Sequence, residues 1–365
     1  MKIIYRYLTQ ELLIPFLFGV AAFTAIFIGT DLLFDLTDLY IEYGIGIISV
    51  IRMLILSLPS VIVFTFPMAT LLATIMCYNR LAGDSEIVAL RAGGVSIYRI
   101  LIPALLLGLL MSFLTIGINE AVVPRANYIF NQMMHEIRRG EVRPRTQSDL
   151  FWTPIDSETG YPDYVLYAGH FNADTGIMSD VFFHDYYQDR PATLIKAQEA
   201  RWVDASWYFH EGVIYHLEPG ARVPEISFSR WEAGQITAEP DRISQMSKDT
   251  EDMNLGELAE LIALKEEQGQ DTAEQKVEWH MRLSIPFANF IFVLLAAPLG
   301  IKRRRSGGSA VGMGISIIVI FLYYILMSVG EALGTGGTIP PWLGAWMQNL
   351  VFFAAGSLML IRVGR

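Results

Sequence analysis

The sequence predicts a membrane α-helical bundle of six transmembrane helices, with an all-β, jelly-roll-like periplasmic domain inserted between the third and fourth. Three observations lead there. Apolar residues make up 53% of the 365-residue chain. They gather in blocks at about 12–40, 47–78, 97–123, 282–301, 309–333 and 341–361, each reaching the roughly 18–20 apolar residues that cross a hydrocarbon core about 30 Å thick. Between the third and fourth blocks the pattern changes to short runs rich in Val, Ile, Phe, Tyr and Trp, separated by turn residues. The expected division is 1–125 for the first three helices, 126–253 for the β domain, 254–281 for a helical connection and 282–365 for the last three helices.

The first block follows Lys2 and Arg6 as a signal peptide would. It is too long for one and lacks a small-residue cleavage site, so it reads as a retained helix. Six spans place both termini on one side. Lys2, Arg6, Arg80, Arg91, Arg99, Lys302 to Arg305, Arg362 and Arg365 all fall on that side, which positive-inside logic makes cytoplasmic. The opposite connections carry Asp31, Asp35, Asp38, Glu42 and Glu331 and almost no base, so they face outward. The Lys302–Arg305 cluster marks topology on one reading and touches lipid headgroups on another. Pro59 and Pro67 in the second span remove backbone donors and predict a kink or local unwinding. Ala310, Gly312, Gly314 and Ser316 in the fifth suit a close, sliding helix interface.

In the inserted domain, strands are expected near 164–170, 178–187, 193–203, 207–217 and 221–231. Val165 and Tyr167, Val181 and Phe183, Trp207 and Phe209, and Val213, Tyr215 and Leu217 recur at every second residue. Such a face lines a lipid groove or forms the closed core of a small sandwich, and periodicity does not separate the two. From Asn254 the helical period returns through Leu255, Leu258, Leu261 and Ile262 to Gly269. Thr272 and Gln275 have capping-box spacing at the start of a helix that runs into the fourth span.

The formal charge of −10 argues against a nucleic-acid partner, and the single Cys77 allows no intrachain disulfide. The chain has no G-x-x-x-x-G-K-[S/T], H-E-x-x-H, C-x-x-C or G-x-S-x-G, so it carries none of the residues for ATP hydrolysis, zinc hydrolysis or a nucleophile elbow. His184, His210 and His216 lie on strand-like segments without ligand spacing, and no metal is expected. The span centres lack the ionisable residues of an ion-driven transporter. Asp31, Asp35 and Asp38 share a helical face toward the outer leaflet, where they pair with Arg52 or meet headgroups.

The sharpest feature is the second short loop of the basic side. From Arg80 to Gly94, Asp84 and Glu86 suit the first turn of a short helix over 84–92 and paired glycines end it. Ile87, Val88 and Leu90 are expected to be exposed there, as they would be for docking into a partner's groove, with Arg91 closing the helix. This loop, together with Tyr5-Arg-Tyr-Leu-x-x-Glu11, Asn119-Glu120 to Pro124-Arg125-Ala126-Asn127 and Trp279-His-x-Arg282-Leu-x-x-Pro286, resembles the LptF/LptG permease family, also called YjgP/YjgQ. The resemblance implies a permease that extracts lipopolysaccharide from the bacterial inner membrane. It implies pairing with a second such permease, or with itself, above a dimeric LptB-type ABC ATPase that uses ATP and Mg, and no cofactor on this chain. Glu86 matches the family's coupling glutamate, the first and fifth spans would form a lateral gate, and lipid would pass to LptC and LptA-like folds.

One departure stands out. LptG-type members place basic residues near the outer end of the first helix, where this chain has three aspartates. Contact with lipid phosphates then falls to Arg52, Arg125 and Arg282, or to divalent cations bridging the aspartates. The F and G types are not separated. Two rival readings are an adaptor whose outer domain binds a protein and a lipid-modifying membrane enzyme.

Overall fold

The computed structural model describes residues 2–139, 146–154, 162–172, 175–187, 190–216, 225–234, 236, 239–240, 243, 250–267, 269–302 and 309–364. Arg303 to Arg305 and Leu217 to Ala221 lie outside them. The chain forms two compact units, Met1–Asn131 with Ala273–Arg365, and Gln132–Thr272.

In the first unit α1 (Lys2–Phe27) passes through one π turn (Ile28–Leu32) into α2 (Leu33–Tyr43), and α3 (Ile47–Gly83) follows. Next come α4 (Glu86–Ala92), α5 (Ile97–Ala121) and α6 (Val123–Arg139). After the second unit, the chain returns as α8 (Ala273–Lys302), α9 (Ser309–Thr335) and α10 (Pro341–Gly364). Among the described residues, six stretches are long and apolar enough to cross a membrane: Lys2–Ile41, Ile47–Gly83, Ile97–Ala121, Ala273–Ile301, Gly312–Thr335 and Pro341–Val363. The π turn left no signal in the apolar period. Turns of this kind are rare and concentrate at functional sites.

The helix α3 stays helical through Pro59 and Pro67, so neither proline unwinds it. Beyond the third span, the helical period does not give way at residue 126. Pro124 sits in the first turn of α6, where its missing donor is not needed, and Ala126, Ile129, Met133 and Ile137 continue at three- and four-residue steps. The Ser60 hydroxyl donates to Asn127 Oδ1 at 2.9 Å and ties α3 to α6.

The bundle is organised around α8, which packs on α3, α5 and α10. Gly108 of α5 lets the helices meet: a Cβ there would lie 2.9 Å from Val293 Cγ2 and 3.0 Å from the Asn289 carbonyl oxygen. On the fifth span, Gly312 faces Ile75 of α3 and Ser316 is buried, while Gly314 faces open space, so the small residues do not form one continuous interface.

Asn289 is the polar hub. Its Oδ1 accepts from the Thr70 hydroxyl at 2.9 Å, and its Nδ2 donates to Thr115 Oγ1 at 3.3 Å and to the Pro286 carbonyl at 2.9 Å. Hydrogen bonds between helices in a bilayer average about 0.6 kcal/mol each. Asn289→Ala is therefore expected to cost about 1–2 kcal/mol and to lower the unfolding midpoint of the detergent-solubilised chain. A midpoint equal to that of the parent chain would contradict this role.

Among the described residues, the second unit holds six antiparallel strands whose spatial order is their sequence order: β1 (Thr146–Trp152), β2 (Tyr164–Asn172), β3 (Ile177–Tyr187), β4 (Arg190–Val203), β5 (Ser206–His216) and β6 (Glu225–Glu232). The strand β1 was not anticipated. The helix α7 (Leu255–Glu267) follows, opened by a reciprocal capping box: the Asn254 amide donates to Glu257 Oε2 at 2.8 Å and the Glu257 amide to Asn254 Oδ1 at 2.9 Å.

The buried face of this sheet departs from simple alternation in a regular way. Ala168, Val181, Ala197, Gly212 and Phe228 form one cross-strand row, and Phe171, Met178, Ala200, Phe209 and Trp231 form another. Both rows face the same core, although two residues rather than one separate them on every strand. The pleat thus slips by one position along a crease across the sheet, with Asp180 at φ 54° and Glu211 at φ 49° on alternate strands.

The slip corrects the expected faces. Tyr164, Leu166 and Ala168 are buried while Val165 and Tyr167 turn to the opposite side. Val213 and Tyr215 share the parity of Trp207 and Phe209 but not their face. The core face itself is closed here: Leu166, Phe171, Val181, Phe183, Trp207 and Phe209 are all 0% exposed and are packed with Ile236, Ile243 and Leu264. His184 pairs with Leu194, and His210 with Glu199 five rungs away, so these two histidines do not meet.

Candidate functional site

The helix α4 and the elements that hold it form a polar cluster of the first unit where three helices meet. Beyond Gly83, Asp84 still donates its amide to the Arg80 carbonyl at 2.9 Å, and Ser85 then takes a left-handed conformation at φ 61°, breaking the helix. The new helix begins at Glu86, whose carboxylate suits the positive N-terminal end, and Arg91 suits the last turn. Its end is a Schellman motif. The Val95 amide donates to the Leu90 carbonyl and the Gly94 amide to the Arg91 carbonyl, both at 3.0 Å, with Gly94 at φ 81°.

One turn of helix per 3.6 residues then sorts the side chains. Ile87 is 3% exposed and packs in one core with Leu8, Leu12, Cys77 and Leu81, and Leu90 and Val95 lie against the same core. Of the three apolar residues expected outside, only Val88 is exposed. Asp84 and Arg91 accompany it on the outer face. Ile87 and Leu90 are turned inward because they share a helical face with the Schellman contact at Val95.

Glu86 is half-buried at the edge of this core. The Tyr7 hydroxyl donates to it, 2.9 Å from Oε2 and 3.1 Å from Oε1. The same hydroxyl accepts from Arg80 Nη2 at 2.8 Å, and Arg80 Nη2 also lies 2.8 Å from Glu11 Oε2. Asp84 and Glu86 each approach the Arg80 guanidinium to 3.9 Å. Three carboxylates thus surround one guanidinium, and α1, α3 and α4 meet there. No bond-making chemistry follows from these groups. They form a handle on a short helix, fixed to two long ones. Tyr7, Glu11 and Arg80 had not been assigned a site role from the sequence. The four-residue spacing of Tyr7 and Glu11, which places both on one face of α1, is the signal that was available.

The family model described as lipopolysaccharide export system permease LptF/LptG matches residues 6–362, a range that includes the whole cluster. The chain belongs to the LptF/LptG family. Among curated relatives, the lipopolysaccharide export system permease protein LptG of Escherichia coli (strain K12) is 21% identical over 315 residues, 84% of each chain. The LptG protein of Haemophilus influenzae is 22% identical over 305 residues, 81% of each. An uncharacterized protein of Rickettsia prowazekii is 19% identical over 273 residues, 73% of each. With six helices long and apolar enough to span a bilayer, this LptF/LptG member is a multi-pass membrane protein.

The remaining expected site residues are dispersed. Arg52 is exposed in the second turn of α3 and Arg125 is exposed at the start of α6. Arg282 is different: its guanidinium is paired with Glu278 one turn earlier and its side chain is 13% exposed. Asp35 and Asp38 are exposed on α2, where Leu36 and Leu39 are buried, and the Asp31 side chain lies outside the described residues.

Proposed function

We propose that this LptF/LptG member is the permease subunit of an ABC transporter that extracts lipopolysaccharide from the inner membrane and passes it to a periplasmic bridge for export to the outer membrane. ATP hydrolysis in a separate LptB-type dimer drives the step, and this chain performs no chemistry. The reading is carried by the family match over residues 6–362, which takes in the spans, the inserted sheet and α4 together. The basic residues beside α4 and at both termini favour a cytoplasmic side there, with the sheet domain in the periplasm.

On this reading the outer face of α4, with Asp84, Val88 and Arg91, meets the ATPase, and Glu86 couples its stroke to the bundle. Exposed Arg52 and Arg125 contact lipid phosphates; Arg282, already paired with Glu278, is the weaker candidate. A second family permease, or another copy of this chain, pairs with it to enclose the lipid, and LptC and LptA-like proteins receive it. Because the apolar sheet face is closed in the free chain, lipid follows that face only after the domain opens.

Affinity purification of the tagged full chain in mild detergent tests the assembly. An ABC ATPase and a second permease, with bound lipopolysaccharide, are the expected companions. Recovery of neither protein would overturn the proposal and leave the adaptor reading in its place.

A further inference from the structure

We infer that Tyr7 is a positioning residue that yokes α4 to α1, so that the partner's stroke enters the bundle through the first span. This deepens the proposed function and rests on it.

By chain connection alone, α4 belongs to α3 and α5. The helix axis breaks at both connections: Ser85 is left-handed on one side, and left-handed Gly94 closes the Schellman turn on the other. A push on α4 would be absorbed there if nothing else held the helix. Beyond its packing with Cys77 and Leu81 of α3, the helix is also held by α1. The Tyr7 hydroxyl reaches Glu86 across 79 residues of sequence, and Arg80 fixes that hydroxyl from α3 while gripping Glu11 one turn further along α1. Hydrogen bonds with a charged partner are about twice as strong as neutral ones, and the Tyr7 hydroxyl makes two, one to the Glu86 carboxylate and one from the Arg80 guanidinium. Under the polar layer, Leu8 and Leu12 of α1 are packed in the same core as Ile87. The first span therefore has both a polar and an apolar purchase on α4.

Geometry also assigns separate tasks to the two faces of the short helix. Asp84, Val88 and Arg91 are available to the nucleotide-hydrolysing partner, while Glu86, Ile87 and Leu90 are turned toward the bundle. In this arrangement Tyr7 acts through Glu86, with Arg80 holding its hydroxyl in place.

The test uses the full complex in proteoliposomes, with lipopolysaccharide as cargo, and reads ATP turnover and lipid released separately. Tyr7→Phe keeps the ring and removes the hydroxyl. It is expected to leave complex recovery and ATP turnover within about twofold of the parent while lipid released per ATP falls about tenfold, the size expected for losing a hydrogen bond to a charged group. Arg80→Met, which frees the hydroxyl from α3 and leaves Glu11 without its ion pair to Arg80, should uncouple in the same direction. Should Tyr7→Phe fail to assemble, Arg80→Met alone decides. Unchanged release per ATP in an assembled variant, in a system where Glu86→Ala abolishes release, would overturn the yoke and leave the proposed function standing. Release that is indifferent to Glu86→Ala as well would instead remove the coupling role of α4.

Discussion

Glu86→Ala is expected to abolish ATP-dependent lipid release while the chain still folds and inserts. The carboxylate accepts the Tyr7 hydroxyl and faces the Arg80 guanidinium, so its loss removes the acceptor of the Tyr7–Glu86 hydrogen bond between α1 and α4 and leaves Arg80 to Glu11 and Asp84. Charge-assisted hydrogen bonds of this kind are worth about 1.5–3 kcal/mol, or roughly 10–100-fold in an equilibrium that depends on them. Half-exposure of the cluster keeps the cost to global stability small, because water replaces the lost partner. The ratio of lipid released to ATP consumed in reconstituted vesicles is the relevant measurement. A ratio unchanged from the parent would contradict the coupling role.

Trp207→Ala is expected to have the largest effect on stability. Trp207 is fully buried on the core face of β5, with its ring 5.3 Å from Trp202 and 6.4 Å from Phe171. Truncating a buried tryptophan costs about 3–5 kcal/mol through lost apolar burial and the cavity left behind. A sheet domain of this size has little more than that to lose. Limited proteolysis of the full chain in detergent should show cleavage within 132–272 at protease levels that leave the parent intact, with the spans still protected. Equal resistance would mean that the cavity collapses and that the core is not organised around this side chain.

What the sequence revealed, and what it hid, follows from the range of the interactions concerned. The six spans were legible because length and apolarity are local properties that a bilayer reads directly. The strands from β2 to β6 were legible through Val, Ile and aromatic runs between turns. Their faces were not, because the crease shifts the parity of each strand from β2 to β6 at one line, and a non-glycine residue in the left-handed region, such as Glu211, leaves no mark in composition. The α6 extension was hidden by polar residues that a helix tolerates on its exposed side. At α4, the caps were visible in Glu86 and the paired glycines, whereas the inward turn of Ile87 and Leu90 depends on packing against Leu8 and Leu12, some eighty residues earlier. The yoke from Tyr7 to Glu86 is of the same long-range kind.

On the proposed reading, loss of Arg52 and Arg125 would alter how lipid is held, whereas loss of α4 would alter whether force arrives at all. The account stands or falls on that force. The most direct measurement is transfer of lipopolysaccharide from proteoliposomes containing this chain, a second family permease and the ABC ATPase to a soluble acceptor, followed with and without ATP. Chemically unaltered lipopolysaccharide should reach the acceptor only when ATP and this chain are both present. Transfer without nucleotide, or recovery of a chemically modified lipid, would contradict the account.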